Sequence, residues 1–160
     1  MPTPLSRRSF LSQSATLAAA GVVAGSGATT QQAGAMETPA HLDGSIFAST
    51  WAFGKLANEQ ARQTLAKGTL LDAIESGIQL VEADADNHSV GIGGTPNARG
   101  VVELDACIMD GTTYNAGSVA GMTGIAHPVS VARRVMEKTK HVMLVGEGAR
   151  QFAIDEGLAE

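Results

Sequence analysis

Between Lys55 and Gly157 the sequence switches repeatedly between helical and extended apolar spacing, and the switches fall on glycine, proline or short polar breaks. That alternation allows a sheet with helices packed on it. Lys55–Lys67 has helix-forming composition and ends at Gly68, a natural stop. Thr69 and Asp72 stand at capping-box spacing ahead of Leu70, Ile74, Gly77, Ile78 and Val81, which share one helical face up to about Ala83. Asp84–Asn87 is a polar break, and Val90–Gly100 is a glycine-rich loop. Val101–Met109 reads as a strand, Asp110-Gly111 as a turn, and Tyr114–Val119 as the returning strand. Pro128 opens a helix with Val129, Ala132, Val135 and Met136 along one side. His141–Val145 is a short strand, and Gly146 and Gly148 lead into a helix over Ala149–Asp155, stopped by Gly157. Upstream, apolar Ser45–Trp51 is expected to be a buried strand that turns at Phe53-Gly54. The expected order is strand, two helices, hairpin, helix, strand, helix.

The 19 glycines and the 4% aromatic content suit tight turns and close backbone packing, and argue against an aromatic-rich binding surface. The net charge of −5 disfavours a nucleic-acid partner, because phosphate binding needs a basic footprint. A single cysteine, Cys107, excludes an internal disulfide and a multi-cysteine zinc site. It sits in the apolar run Ala106–Met109 and is expected to be buried and inert. His41, His88, His127 and His141 show no metal-ligand spacing, so neither metal nor cofactor is expected.

The first 35 residues read as an address. Arg7-Arg8 precedes Phe10-Leu11, a modest apolar stretch covers Ala15–Ala28, and Ala33-Gly34-Ala35 is a small-x-small cleavage site. In that order they resemble a twin-arginine export signal, implying a periplasmic or secreted product. The alternative is an unstructured N-terminus with a chance arginine pair. The expected organisation is a signal over 1–35, a linker over 36–45 and the folded part over 46–160. Loss of both arginines takes the charge from −5 to −7.

The chemistry-bearing residue types do not assemble a visible nucleophile. Gly91-Ile92-Gly93-Gly94 could cradle an anion, but it lacks dinucleotide-fingerprint spacing and a phosphate-loop lysine; a turn for close backbone approach is the plainer reading. Asp84 and Asp86 read as a solvated loop, and His127 as a helix-entry residue. Asp105 and Asp110 could form an acid/base pair, or be one hydrogen-bonded and one turn aspartate. Ser89 and Ser118 have no evident activating base, and no G-x-S-x-G elbow occurs.

A set of segments goes further: Ser49-Thr50-Trp51-Ala52-Phe53-Gly54, Leu71–Gly77, Leu80-Val81-Glu82, Ser89–Gly94, Leu104–Gly111, Ala116–Ala120, Pro128–Thr139 and His141–Gly146. Together, and in this order, they resemble the glycosylasparaginases of the N-terminal nucleophile hydrolase superfamily, over nearly all of residues 46–158. The resemblance implies a layered α/β fold, here an incomplete αββα sandwich. It implies a precursor that cuts its own backbone before a threonine. The freed threonine hydroxyl then attacks the side-chain amide of an asparagine derivative, with its own α-amine as base.

That threonine belongs to a His-Asp/Gly-Thr-Ile/Val-Gly stretch, which does not occur before Glu160; Thr112, followed by Thr113-Tyr114, does not match. The nucleophile is therefore expected beyond Glu160, and this chain alone is expected to be inactive. Its implied partners are a small asparagine derivative and a missing C-terminal subunit, with an oligomer once complete. Three positions carry over as substrate-binding: Trp51 and Phe53 as pocket aromatics, and Ser89 beside the threonine's amine. The alternative makes Trp51 and Phe53 core aromatics and Ser89 a turn cap.

Two rivals remain. The isoaspartyl peptidase/L-asparaginase branch usually carries Asn-Ala-Gly-x-Gly-Ser before its Asp-Ala-x-Ile-Met-Asp-Gly strand. Ser89–Asn97 differs from that loop, and the Trp51-x-Phe53 pair favours glycosylasparaginase. The other rival is a non-catalytic exported α/β binding module.

Overall fold

Residues 44–158 are described by a computed structural model. The export-signal reading for 1–35 and most of the linker, 36–43, lie outside the described residues.

Helix α1 spans Gly54–Leu65 and α2 spans Leu70–Glu82. The capping box at the start of α2 is formed: the Asp72 N–H donates to Thr69 Oγ1 at 3.2 Å, and the Thr69 N–H donates to Asp72 Oδ2 at 2.8 Å. Gln60 Nε2 and Thr64 Oγ1 of α1 both donate to Ser76 Oγ of α2, at 2.8 and 3.0 Å, pinning the helices side by side. A 3-10 turn follows at Gly91–Gly93.

Strands β1 (Leu104–Met109) and β2 (Ala116–Met122) pair antiparallel. Helix α3 (Pro128–Lys138) crosses to β3 (Met143–Val145), which pairs parallel to β2, and α4 (Gly146–Asp155) follows. The sheet order β1-β2-β3 makes a small mixed sheet, so the α/β class holds.

One face of this sheet is covered. Val131, Ala132 and Val135 of α3 and Ala149 and Ala153 of α4 form a buried cluster with Ile108, Val119 and Met122. Each fully buried valine or methionine there contributes about 1.5–3 kcal/mol. Arg133 ties α3 to α2: its Nη1 donates to Asp72 Oδ1 at 2.7 Å and to Glu75 Oε2 at 2.6 Å.

The other face is open among the described residues. On β1, Leu104, Ala106 and Ile108 are at least half-buried, whereas Asp105, Cys107 and Met109 are exposed. Met143 and Val145 of β3 are also exposed. Cys107 is therefore exposed, against the expectation of burial. The run Ala106–Met109 is apolar throughout, but strand alternation sends Cys107 to the opposite face from its neighbours.

Some boundaries differ from the sequence reading. Ser45–Trp51 is not a strand: beyond a bridge residue at Ser45 it is irregular, with Ile46 exposed. An extended segment becomes a strand only beside a partner edge, and beyond the Ser45 bridge this segment has no place in the β1-β2-β3 sheet. Strand β1 starts at Leu104 and not Val101, because Asn97 draws Val101 into a loop: Asn97 N–H donates to the Val101 carbonyl at 2.8 Å. Strand β2 starts at Ala116 and not Tyr114. The Asp110 carboxylate accepts from Thr112 N at 2.8 Å and Thr113 Oγ1 at 2.7 Å, which widens the hairpin turn. Helix α4 starts at Gly146, so Gly146 and Gly148 lie in its first turn, where N–H groups need no intrahelical acceptor.

Candidate functional site

The segment before α1 is held as a tight entry to that helix. Gly54 N–H donates to the Trp51 carbonyl at 2.9 Å, and Ser49 Oγ donates to Asn58 Oδ1 at 2.6 Å. This leaves Trp51 69% exposed while Phe53 is half-buried at the helix cap.

Ser89 is presented by a different device. Its N–H donates to Asn87 Oδ1 at 2.9 Å, and Asn87 is itself buried. That bond fixes the amide's orientation, and leaves Asn87 Nδ2 buried with no partner among the described residues. Beyond Ser89 the chain turns at Gly91, whose φ is +68°. A side chain there would run into the backbone of Glu82, so the glycine-rich loop is a close-approach turn, as its spacing predicts.

Trp51, Phe53 and Ser89 come together on one cavity of about 530 Å³. Ile78 and Val81 of α2 line it, as do Asp105 and Cys107 from the exposed positions of β1, and Pro128 and Val129 at the start of α3. Its ionisable wall is acidic: Glu82, Glu103 and Asp105 line it, with no lysine or arginine among the described lining residues. Asp105 is also a structural group, accepting the Gly121 N–H. Asp110 serves its own turn, so the two aspartates do not form a pair. No group of three His, Cys, Asp or Glu that could hold a metal occurs among the described residues.

Glu82 has a place in the matched segments but no role readable from them. It is 3% exposed, and burial pushes its carboxyl up from 4.5 to about 7, against the lowering effect of the Val129 N–H bond. Its Oε1 accepts from Val129 N at 3.1 Å, and its Oε2 lies 3.3 Å from His127 Nδ1. A sequence signal did exist: Glu82 immediately follows Val81 on the apolar face of α2, and His127-Pro128 offers α3 no side-chain cap.

A sequence profile described as asparaginase matches residues 22–160. The chain belongs to the asparaginase family. Among curated relatives, an N(4)-(beta-N-acetylglucosaminyl)-L-asparaginase from Elizabethkingia miricola is 58% identical over 113 residues, covering 70% of this chain and 33% of that protein. A plant-type L-asparaginase from Pyrococcus abyssi is 51% identical over 96 residues, covering 60% of this chain and 31% of the relative. An isoaspartyl peptidase from Salmonella typhimurium is 41% identical over 108 residues, covering 68% and 34%. The glycosylasparaginase resemblance therefore holds for this asparaginase-family chain, which spans about a third of the length of these curated relatives.

Proposed function

We propose that the chain forms one layer, and one wall of the substrate cavity, of an amidohydrolase that cleaves the side-chain amide of an asparagine derivative such as N4-(β-N-acetylglucosaminyl)-L-asparagine. The observation that carries this reading is the convergence of Trp51, Phe53 and Ser89 on one cavity, in a chain 58% identical to a relative bearing that activity's name. Trp51 lines the cleft against the substrate, Phe53 backs it, and Ser89 stands by the amine of the nucleophile.

The remainder of the catalytic machinery comes from a C-terminal subunit generated by self-cleavage. Its N-terminal threonine attacks the amide carbon, and its α-amine takes the hydroxyl proton and returns it to the departing nitrogen. Preorganised donors hold the tetrahedral oxyanion. Water then releases aspartate from the β-aspartyl ester. The open face bearing Met109, Met143 and Val145 receives the second sheet of an αββα sandwich, since an apolar patch of that kind marks a covered surface. The complete enzyme is an oligomer. Residues 1–35 direct export by the twin-arginine route to the periplasm or beyond, 36–45 link, and 46–160 begin the catalytic domain.

The test is hydrolysis by a complete protein carrying these residues, with N4-(β-N-acetylglucosaminyl)-L-asparagine compared against β-aspartyl dipeptides. Faster turnover of the glycosylated substrate is expected, and residues 36–160 alone release no aspartate. Faster dipeptide turnover would move the assignment to the isoaspartyl peptidase branch, to which the 41% identical relative belongs by name.

A further inference from the structure

Glu82 has no part in the chemistry set out above, yet it is buried in the cavity wall. Burying a carboxyl is costly unless partners compensate. The partners here belong to helix α3, and α3 needs them. His127 sits at its N-cap without a capping side chain, and Pro128 has no N–H. The Val129 N–H is thus the first helical donor in want of an acceptor, and Glu82 Oε1 supplies it from 47 residues earlier in the chain. The acid also stands at the positive end of the helix. On its other side, the backbone of Glu82 is the surface against which Gly91 packs, so the loop bearing Ser89 rests on the same residue.

We propose that Glu82, by capping α3 across the cavity and exchanging a hydrogen bond with His127, is the positioning residue that couples the Ser89 loop to α3. The coupling depends on proton count. With the pair holding a single shared proton, Oε1 accepts from Val129 while Oε2 and Nδ1 have one hydrogen between them. Loss of the carboxyl proton leaves a buried charge at the 3.3 Å contact, and the coupling loosens as pH rises. Among the described residues, Glu75 acts on Glu82 through its charge, Glu103 and Asp105 share its cavity, and His88 lies in the neighbouring loop. Glu75 lies two turns back on α2 and is paired with Arg133 of α3; His88 bonds the Gly93 carbonyl.

The substrate-cavity reading supplies only the consequence of this coupling for catalysis. The coupling itself is measured with no substrate present, so its failure would leave the hydrolase assignment standing. In the full 160-residue chain, backbone hydrogen exchange is followed by mass spectrometry at pH 7 for wild type, Glu82→Gln and Glu82→Ala. Glu82→Gln keeps an acceptor for Val129 and a donor for Nδ1, and its exchange should match wild type. Glu82→Ala should lose protection together in 127–131 and in 87–94, while 106–108 and 117–119 stay protected.

On acidification from pH 8 to 5, emission of Trp51, the only tryptophan, should change in one step in wild type. That step should vanish in Glu82→Gln and be displaced in His127→Gln. Loss of protection in 127–131 without 87–94 would overturn the proposal, as would an unaltered emission step in Glu82→Gln or none in wild type. Should Glu82→Ala unfold outright, the Glu82→Gln and His127→Gln emission profiles decide alone.

Discussion

Asp105 Oδ1 accepts the backbone N–H of Gly121 at 2.7 Å where the register of the β1–β2 ladder slips between Leu104 and Ala106. A bulge deprives one strand of a ladder partner, and here a side chain replaces it. Asp105→Ala should leave the Gly121 N–H to solvent and cost about 0.5–1.5 kcal/mol. Asp105→Asn keeps an oxygen acceptor and should retain most of the stability. Urea midpoints of the two variants should rank accordingly.

The capping box of α2 sets the acid limit of its first turn. The Thr69 backbone N–H, the Thr69 hydroxyl and then Arg133 hold the Asp72 carboxyl at about 2, below its ordinary 3.8. A depressed carboxyl contributes stability that is fully present above its unfolded value and is lost as pH falls through about 2. Thr69→Ala should cost about 1 kcal/mol at neutral pH. It should also move acid unfolding, followed by circular dichroism, to higher pH.

Glu82 works in the opposite direction. Its carboxyl is raised from 4.5 to about 7, so the folded chain binds more protons than the unfolded chain between those values. Its stability contribution is complete below 4.5 and is lost as pH rises through about 7. Denaturation midpoints should fall between pH 5 and pH 8, by at most roughly 3 kcal/mol of stability. In Glu82→Gln this decline should flatten.

Gly91 and Gly100 both have positive φ, +68° and +77°, but differ in their surroundings. A Cβ at Gly91 meets the backbone of Glu82, whereas one at Gly100 meets nothing within 4 Å. Gly100→Ala should cost about 1 kcal/mol from backbone strain alone. Gly91→Ala should cost distinctly more and open the Ser89 loop to limited proteolysis.

The open sheet face should be chemically accessible and adhesive. Cys107 should react with a maleimide in the native chain at a rate close to that in urea. Val145, which is 59% exposed, adds to a patch that should drive self-association. Val145→Glu should lower the sedimentation coefficient of the chain at equal concentration.

The helices and the hairpin were legible because their signals are local. Thr69 and Asp72 announce the start of α2, and Pro128 announces α3, within a few residues of where each acts. Trp51, Phe53 and Ser89 stand out in the sequence only through resemblance, and the fold adds what spacing could not, their convergence on one cavity. What escaped depended on distant partners. Ser45–Trp51 has the composition of a strand but, beyond the Ser45 bridge, no place in the described sheet. Cys107 has the neighbours of a core residue but faces the uncovered side. Glu82 reads as the end of a helix until Val129 is seen to need its carboxylate.

The bond from Glu82 to Val129 also carries an implication for the order of events in folding. Helices α1 and α2 are adjacent in sequence, and their contacts close short loops at small entropic cost. The Glu82–Val129 bond instead waits until 46 intervening residues, both hairpin strands among them, have doubled back. The cavity wall is accordingly a late arrival, assembled after the scaffold on which it stands, and a chain stalled midway would have its helical pair without its pocket.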